Sequence, residues 1–412
     1  MPNAEVIRAQ TTPEDGALFS VGLRDSKYKP EPHVAFTEDL RQKGVTELAD
    51  IRLGTSVIVP FEKTCTLLED VEFEFTPPVL TGAGGATYIR YVDFLAYAII
   101  AGIKWTYTSN TLQQYNMDVE WSDLQFMTDE KRENEEYLVG GNLSAAARNT
   151  YATAPYKLRV RVPCPWKDQR CHSPLISALA SKLTLQIDFN NPAFVVQTDG
   201  TKPTTLTLTN CAVVFQQIHT TGHTRQEFTA ITNSKNGISY LYDDENRLEF
   251  DIPQNYFQNT NNQFVQSLTE IDGPIRKARL IIRTQAQLDP TNANVAPYEI
   301  DTTYLHGLRY QIVGNNMDIA DPEAQDTDGV RKIQKFHQCR YDTQQAEMLF
   351  EEYPEAHNVA SGNVSFGNFT NPRLFLSNPL LAGVHPALRV TVLYYRFNWL
   401  IHQRGVIQKV WR

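Results

Sequence analysis

The chain has 412 residues, of which 42% are hydrophobic and 21% charged, and its formal net charge is −9. That length favours two domains with sizeable cores, and the negative charge argues against a dedicated nucleic-acid-binding protein. The first ten residues lack the basic and apolar regions of a secretory signal peptide. The longest apolar run, residues 94–103, is too short to cross a bilayer, so we expect no membrane span.

Residues 1–44 are polar and interrupted by Pro13, Pro30 and Pro32, which predicts an extended N-terminal arm with little core of its own. Beyond the arm, apolar and polar residues alternate, which is the pattern of strands with one buried face. The clearest case is LTLQIDF at 183–189, and the other candidate strands of the first half are 56–60, 71–75, 157–162 and 211–218. Residues 91–108 form an apolar, aromatic stretch, and the charged run 128–136 predicts a solvated helix or loop.

Residues 219–236 are polar and are predicted to connect two domains. The strand pattern then restarts, and the candidate strands are 238–242, 247–252, 278–288, 308–313, 362–369, 373–376 and 387–402, with one amphipathic helix candidate at 342–352. Short strands separated by frequent turn signals predict an all-β chain of two consecutive eight-stranded jelly rolls with long loops and few short helices. The predicted divisions are an arm (1–44), a first jelly roll (45–218), a linker (219–236) and a second jelly roll (237–412).

The basic residues are unevenly distributed. Residues 356–412 contain no Asp or Glu, and their net charge of +6 comes from Arg373, Arg389, Arg396, Arg404, Lys409 and Arg412. One interpretation is that polar strand faces happen to be basic, and the other is a surface that faces an anionic partner. Five cysteines without CxxC spacing predict a reduced, intracellular protein with buried thiols.

Signals for catalysis or metal binding are weak. Gly82–Gly85 lacks the Lys-Ser/Thr of a phosphate-binding loop, and His219 and His223 have no Cys or Asp close by in the sequence. Residues 326–329 resemble part of a calcium loop, but its first and twelfth positions carry no carboxylate, which excludes it. Residues 243–245 (Asp-Asp-Glu) are interpreted as a hairpin loop, and Cys164 and Cys171 as structural thiols. We therefore predict no enzyme, with no catalytic, cofactor-binding or metal-binding residues.

Four stretches in a fixed order carry a resemblance to a known family. They are 91–105 with 110–115 and 137–140; 161–166 with 173–180 and 183–189; 211–218 leading to 224–228; and 360–370 ending in 388–400. Over residues 50–412 the chain resembles the double jelly-roll major capsid proteins of nucleocytoplasmic large DNA viruses and their smaller relatives. The resemblance departs at 181–185, SKLTL, where the family has a QYHEV-like continuation.

The resemblance implies a major capsid protein of the virion, made in the host cytoplasm. It implies a homotrimeric, pseudo-hexagonal capsomer that builds the icosahedral shell of a DNA virus and uses no cofactor. The expected partners are other copies of the chain, penton proteins and minor or cement capsid proteins, with the genome or an acidic partner near the basic C-terminal segment. Two alternatives remain open: a lectin-like or carbohydrate-active double β-sandwich, and a minor capsid protein. Deletion of residues 1–44 is expected to leave trimers intact and to impair shells.

Overall fold

The structure is a computed structural model of the full chain. It describes residues 40–63, 67–82, 85–166, 176–219, 226, 229–234, 237–259, 262–299, 304, 308–314, 317–320, 346–350, 363–378, 381 and 383–410. The predicted arm up to residue 39, His223 and residues 326–329 lie outside these ranges, as do Cys65, Cys171 and Cys339.

The first half of the chain folds into two facing antiparallel sheets. One sheet has the order β1-β11-β4-β8, with β2 paired beside β11, and the other has the order β3-β9-β6-β7. The strands are β1 (Leu40–Glu47), β2 (Ile51–Arg52), β3 (Ser56–Phe61), β4 (Leu67–Thr76), β6 (Ile100–Tyr107), β7 (Asn110–Tyr115), β8 (Leu158–Arg161), β9 (Leu183–Phe189) and β11 (Thr207–His219). A separate ribbon pairs β5 (Ile89–Tyr91) with β10 (Val196–Thr198).

Alternation in the sequence explains these strands. Along β9 every second side chain from Leu183 to Phe189 is buried and the others are half-buried, as a strand with one core-facing side requires. A glycine is required at one position of the pairing between β1 and β11, where Gly44 lies opposite Phe215. A Cβ at Gly44 would approach the Phe215 ring to 2.4 Å, so the close packing of this edge strand depends on the missing side chain. Residues 40–44, assigned to the arm from sequence, are part of β1.

The first sandwich contains more helix than the sequence analysis predicted. Its helices are α1 (Leu95–Ile99), α2 (Met117–Gln125), α3 (Asp129–Val139), α4 (Ala145–Thr153) and α5 (Pro192–Val195), and residues 176–178 form a 3₁₀ turn. The charged run 128–136, predicted as a solvated helix or loop, is helical from Asp129 onward, within α3. The α2 and α4 helices were missed, although each begins at a side chain that caps it: the Asn116 carboxamide accepts from Asp118 N, and the Ser144 hydroxyl accepts from Ala147 N.

The second half repeats the same strand order. One sheet runs β12-β20-β14-β17, with β18 beside β14 and β21 beside β20, and the facing sheet runs β13-β19-β15-β16. The strands are β12 (Ile238–Ile252), β13 (Phe264–Ser267), β14 (Pro274–Thr284), β15 (Arg309–Gly314), β16 (Met317–Ala320), β17 (Ala346–Leu349), β18 (Val364–Ser365), β19 (Arg373–Ser377), β20 (Leu388–Gln403) and β21 (Val406–Lys409). A short helix, α6 (Gln285–Leu288), follows β14, and 3₁₀ turns cover 256–258 and 366–368.

In both halves the described residues therefore give two facing sheets, each built on a row of four strands, and the first of these eight strands pairs with the eighth. This is the strand order of a jelly roll, in which two Greek keys fold into facing sheets. The predicted fold class, all-β with two consecutive eight-stranded jelly rolls, is confirmed.

Two sequence-based assignments in the second half are wrong. The predicted hairpin loop at 243–245 lies inside the continuous strand β12, because all fifteen residues of β12 pair with β20. The predicted helix at 342–352 contains a strand, β17, in its described part, and β17 pairs with β14 so that Glu347 lies opposite Arg279. In both places tertiary pairing of charged side chains overrides the local pattern.

Each sandwich has its own apolar core. The core of the first sandwich is rich in aromatic rings: Phe61 stacks on Trp105 with ring centroids 5.5 Å apart, and Phe215 meets Phe61 edge-on at 5.1 Å. The core of the second sandwich is built from aliphatic residues of β14, β19 and β20 together with Phe257 and Phe366.

Candidate functional site at the junction of the two sandwiches

The two sandwiches meet along a continuous buried junction. Ile281, Leu393 and Tyr395 of the second sandwich belong to the core of the first sandwich, not to that of the second. Val295 and Tyr298, from the loop after α6, join the same core. Apolar surface is therefore shared between the sandwiches, which ties them together through the hydrophobic effect.

Strand β14 brings four buried cations to this junction: Arg276, Lys277, Arg279 and Arg283. A buried charge without a partner costs several kcal/mol (on the order of 5). The partners of these cations therefore determine which elements must lie against β14.

Arg279 is the centre of the cluster and is 1% exposed. Its Nε donates to Glu347 Oε1 at 2.8 Å, and its Nη1 donates to Asp123 Oδ1 at 2.6 Å and to Ser122 Oγ at 3.0 Å. Burial opposes the charge of Arg279, but neighbouring Tyr395, Glu347 and Asp123 outweigh it and raise the pKa of the guanidinium. One side chain thus joins β17 of the second sandwich to α2 of the first.

Lys277 lies beside Arg279, with its Nζ 4.0 Å from the centroid of the Tyr395 ring. Burial and the nearby guanidinium groups of Arg279 and Arg276 lower the pKa of Lys277 to about 8, and Asp123 and Glu347 oppose this shift. The aromatic face provides favourable contact for the ammonium where the strand is otherwise crowded with cations.

A second pairing fastens the other end of α2. Arg283 Nη2 donates to Asp118 Oδ1 at 2.6 Å, and both side chains are buried. The Arg283 guanidinium also lies 5.2 Å from the Trp121 ring centroid. Because Asp118 and Asp123 are five residues apart on one helix, α2 fits against β14 in one register only.

Asp244 of β12 organises a third group. Its carboxylate accepts from Arg396 Nε at 3.1 Å and from Asn398 Nδ2 at 2.9 Å, and Lys409 Nζ lies 3.5 Å from its other oxygen. Asp243 pairs with Arg276 at 3.0 Å. Asp243 and Asp244, two of the three acidic residues interpreted as a loop, are thus buried charges that neutralise cations of the second sandwich.

This group alters the interpretation of the basic C-terminal segment. Arg396 and Lys409 contact Asp244, and Arg389 makes a two-point pair with Asp251 at 2.8 and 3.1 Å. The carboxylates that balance the segment therefore lie upstream in β12. Among its described cations, Arg373 and Arg404 are exposed.

The loop after α6 fastens the other side of the junction. Thr198 N donates to Ala293 O at 3.1 Å, and the Gln197 carboxamide donates to Val295 O at 2.8 Å. The Lys202 ammonium donates to three backbone carbonyls, Ala193 O, Pro290 O and Asn292 O, at 2.7–2.9 Å. The β5–β10 ribbon of the first sandwich thus holds a loop of the second.

The arrangement is a buried junction of ion pairs and apolar contacts. No group of three or more metal-binding side chains occurs among the described residues. His219 lies at the end of β11, and Cys164 and Cys211 are buried cysteines, with burial raising the pKa of Cys211 to about 11. The predicted buried thiols are confirmed at these two positions. No helix in the described part of the chain is long and apolar enough to cross a membrane.

Comparison with solved structures identifies the architecture. A PBCV-1 virus capsid structure aligns with a TM-score of 0.66 at 13% identity and covers 94% of this chain and 99% of that chain. The Faustovirus major capsid protein aligns with a TM-score of 0.60 at 9% identity, over 92% of each chain. The chain has the double jelly-roll fold of these capsid proteins.

The Sputnik virophage structure shows the same fold, with a TM-score of 0.53 at 11% identity, over 93% of this chain and 91% of that chain. No family model matches the sequence, and no curated protein matches it either. The similarity to these structures therefore lies in the arrangement of the strands, because the sequence identities are only 9–13%.

Proposed function

We propose that the protein is a major capsid protein whose trimer forms the pseudo-hexagonal capsomer of an icosahedral shell in a DNA virus. One observation carries the proposal: two complete jelly rolls in one chain align along nearly their whole length with viral capsid structures. In this role the protein breaks no bonds, its place is the virion, and its activity is assembly.

The junction suits such a role. Three chains with two sandwiches each place six similar bodies in a ring, provided that the two sandwiches of each chain keep a fixed spacing. The buried pairs of Arg279 with Asp123 and of Arg283 with Asp118 supply that fixed spacing. A closed ring of three chains satisfies every interface without open ends.

Exposed apolar residues on strand edges also support self-association. Val45 on edge strand β1 is 53% exposed and Ile58 on edge strand β3 is 64% exposed. Apolar edge strands of a lone molecule invite uncontrolled pairing. Burial against a second copy removes that exposure.

Further partners follow from the same proposal. A closed shell built on hexagonal units needs a different protein at its five-fold positions, and minor or cement proteins between units strengthen the contacts. Contact of the basic C-terminal segment with the genome or an acidic partner would use the exposed Arg373 and Arg404, because Arg389, Arg396 and Lys409 have carboxylate partners within the chain.

The test is the solution mass of the purified chain, measured by light scattering. We expect a species of three times 46.9 kDa that persists on dilution. A monomer at every concentration would contradict the trimer. If that monomer also bound glycans saturably, the lectin-like alternative would replace the capsid proposal.

A further inference from the structure

The C-terminal hairpin of the second sandwich inserts its turn into the first sandwich. The turn between β20 and β21 is Arg404-Gly405, and both residues have positive φ angles, 51° and 74°, as in the tight two-residue turns of hairpins. Gly405 O accepts from Ala180 N at 2.7 Å and from the buried Tyr107 hydroxyl at 2.5 Å. Arg404 N donates to Thr232 O at 2.7 Å.

The turn packs against Ala178, Ala180 and Tyr107 of the first sandwich, which we call the seat, and the fit is close. A Cβ at Gly405 would approach Ala180 N to 3.0 Å and Ala178 O to 3.2 Å. Behind the turn, Leu400 and Ile407 belong to the core of the first sandwich together with Ile176 and Leu179. The hairpin is therefore held by apolar contact and by a few hydrogen bonds at its tip.

His402 lies at the centre of the seat and is fully buried. It sits between Ile238 of β12 and Ile407 of β21 in the paired strands. Within the described part of the chain, neither ring nitrogen makes a hydrogen bond of ordinary geometry. Burial lowers the pKa of His402 to about 4, and a weak interaction with the Ala178 backbone opposes the shift only in part.

Among the residues that the structure describes, no carboxylate is hydrogen-bonded to His402. The elements packed around His402 contribute Glu62, Lys63, Tyr107 and Lys182 of the first sandwich, and Arg404 and Lys409 of the hairpin. The paired strand β12 adds residues 243–245, which lie opposite Phe397, Arg396 and Tyr395, at least five residues along β20 from His402. Glu62 is exposed and pairs with Lys182, and Lys63 donates to Ala180 O at 2.6 Å. Lys409 is directed to Asp244 and Gln113. The described residues 176–181 and 229–234 carry no ionisable side chain.

We propose that the C-terminal hairpin is an acid-sensitive latch: when His402 takes up a proton, the hairpin leaves its seat on the first sandwich while both sandwiches stay folded. The latch is a property of a single chain and goes beyond the capsid role. Its test therefore does not depend on that role.

The direction of the pH dependence follows from linkage. In the closed latch the pKa of His402 is about 4, and in the open state it returns to about 6.5, the value of an exposed histidine. The open state therefore binds the proton more tightly, and acidification from pH 6.5 toward 4 favours opening. Between pH 7.5 and 5.0 this difference predicts a roughly 30-fold rise in the open population.

The experiment is hydrogen exchange of the full chain, read by mass spectrometry at pH 7.5 and 5.0 and corrected for intrinsic exchange rates. We expect protection of the hairpin amides, residues 399–410, to fall about 30-fold at pH 5.0, while the amides of β9 keep their protection. His402→Gln removes the titrating group and keeps a polar side chain, so the pH effect on the hairpin should shrink to less than about threefold.

Two control variants separate the latch from general destabilisation. His385→Gln replaces another buried histidine, which accepts a hydrogen bond from Phe257 N in the second sandwich, and should retain the full pH effect on the hairpin. Gly405→Ala should loosen the hairpin at both pH values without changing the ratio between them. The latch is overturned if wild-type hairpin protection is unchanged at pH 5.0, if β9 loses protection equally, or if His402→Gln keeps the 30-fold change.

Discussion

Arg279 illustrates how individual residues hold the junction together. Its guanidinium reaches carboxylates on two elements, Asp123 of α2 and Glu347 of β17, while it is almost fully buried. Such a group adds modest net stability when every partner is present, and a large cost appears when one partner is removed. The residue therefore acts mainly by making any other arrangement of α2 and β14 unfavourable.

The first prediction follows from this asymmetry. Arg279→Met keeps an unbranched side chain of similar length but leaves Glu347, which is fully buried, without its main partner. We expect a loss of about 3–5 kcal/mol in the free energy of unfolding, measured by urea denaturation at pH 7.

The matched control is Arg389→Met. Arg389 also pairs with a carboxylate, Asp251, but their side chains are 39% and 44% exposed. An exposed pair contributes about 0–1 kcal/mol. Equal losses in the two variants would contradict the view that burial gives the Arg279 cluster its role.

At the scale of elements, the pairing of α2 with β14 links the two sandwiches. The α2 helix begins at Asn116 and presents Asp118 and Asp123 to the cations of β14. Neither element could satisfy its buried charges alone, so the two are expected to form and separate together.

A double-mutant cycle tests this coupling. Asp118→Asn and Arg283→Gln, made singly and together, should give a coupling free energy of about 2–3 kcal/mol, measured by chemical denaturation. The control pair is Asp129 with Arg132, which lies within α3 on its solvent side and should give about 0.2–0.5 kcal/mol. A coupling free energy for Asp118–Arg283 no larger than that of the control pair would show that α2 is held by apolar contact alone.

Local pattern predicted many of the strands. The alternation at 183–189 coincides with β9, and the long pattern at 387–402 coincides with β20 to within one residue. The local pattern gave the wrong structure where pairing between distant residues determines the strand. The pattern of residues 342–352 indicates a helix, but Glu347 of β17 lies opposite Arg279. The pattern of β12 indicates two strands with a loop between them, but Asp244 pairs with Arg396 inside one strand. The α2 and α4 helices lack a strong apolar stripe, so their periodicity gave no signal.

The junction itself was not predicted, although one signal was present. Residues 274–284, PIRKARLIIRT, place four cations in an otherwise apolar strand candidate. Charges in a buried strand require buried partners. The sequence alone does not reveal where those partners come from, because Asp118 and Asp123 lie more than 150 residues upstream.

At the scale of the whole molecule, the N-terminal arm provides a prediction. Strand β1 begins at Leu40, so a deletion that spares the first sandwich removes residues 1–39. We expect this variant to keep the mass of a trimer in light scattering and to form few closed shells in electron micrographs, because we propose that the arm acts between capsomers and not within them. Normal shells from the deletion variant would contradict that role. Deletion of residues 1–47 serves as the comparison, because it also removes β1 and is expected to destabilise the first sandwich.

In the proposed assembly, three copies of this chain, each with two joined sandwiches, form one capsomer. Single-particle electron microscopy of the purified full chain tests it most directly. We expect class averages with a near-hexagonal outline, in which six similar densities surround a three-fold axis. Particles with two sandwich densities and no symmetry, or rings with any number other than three chains, would contradict it.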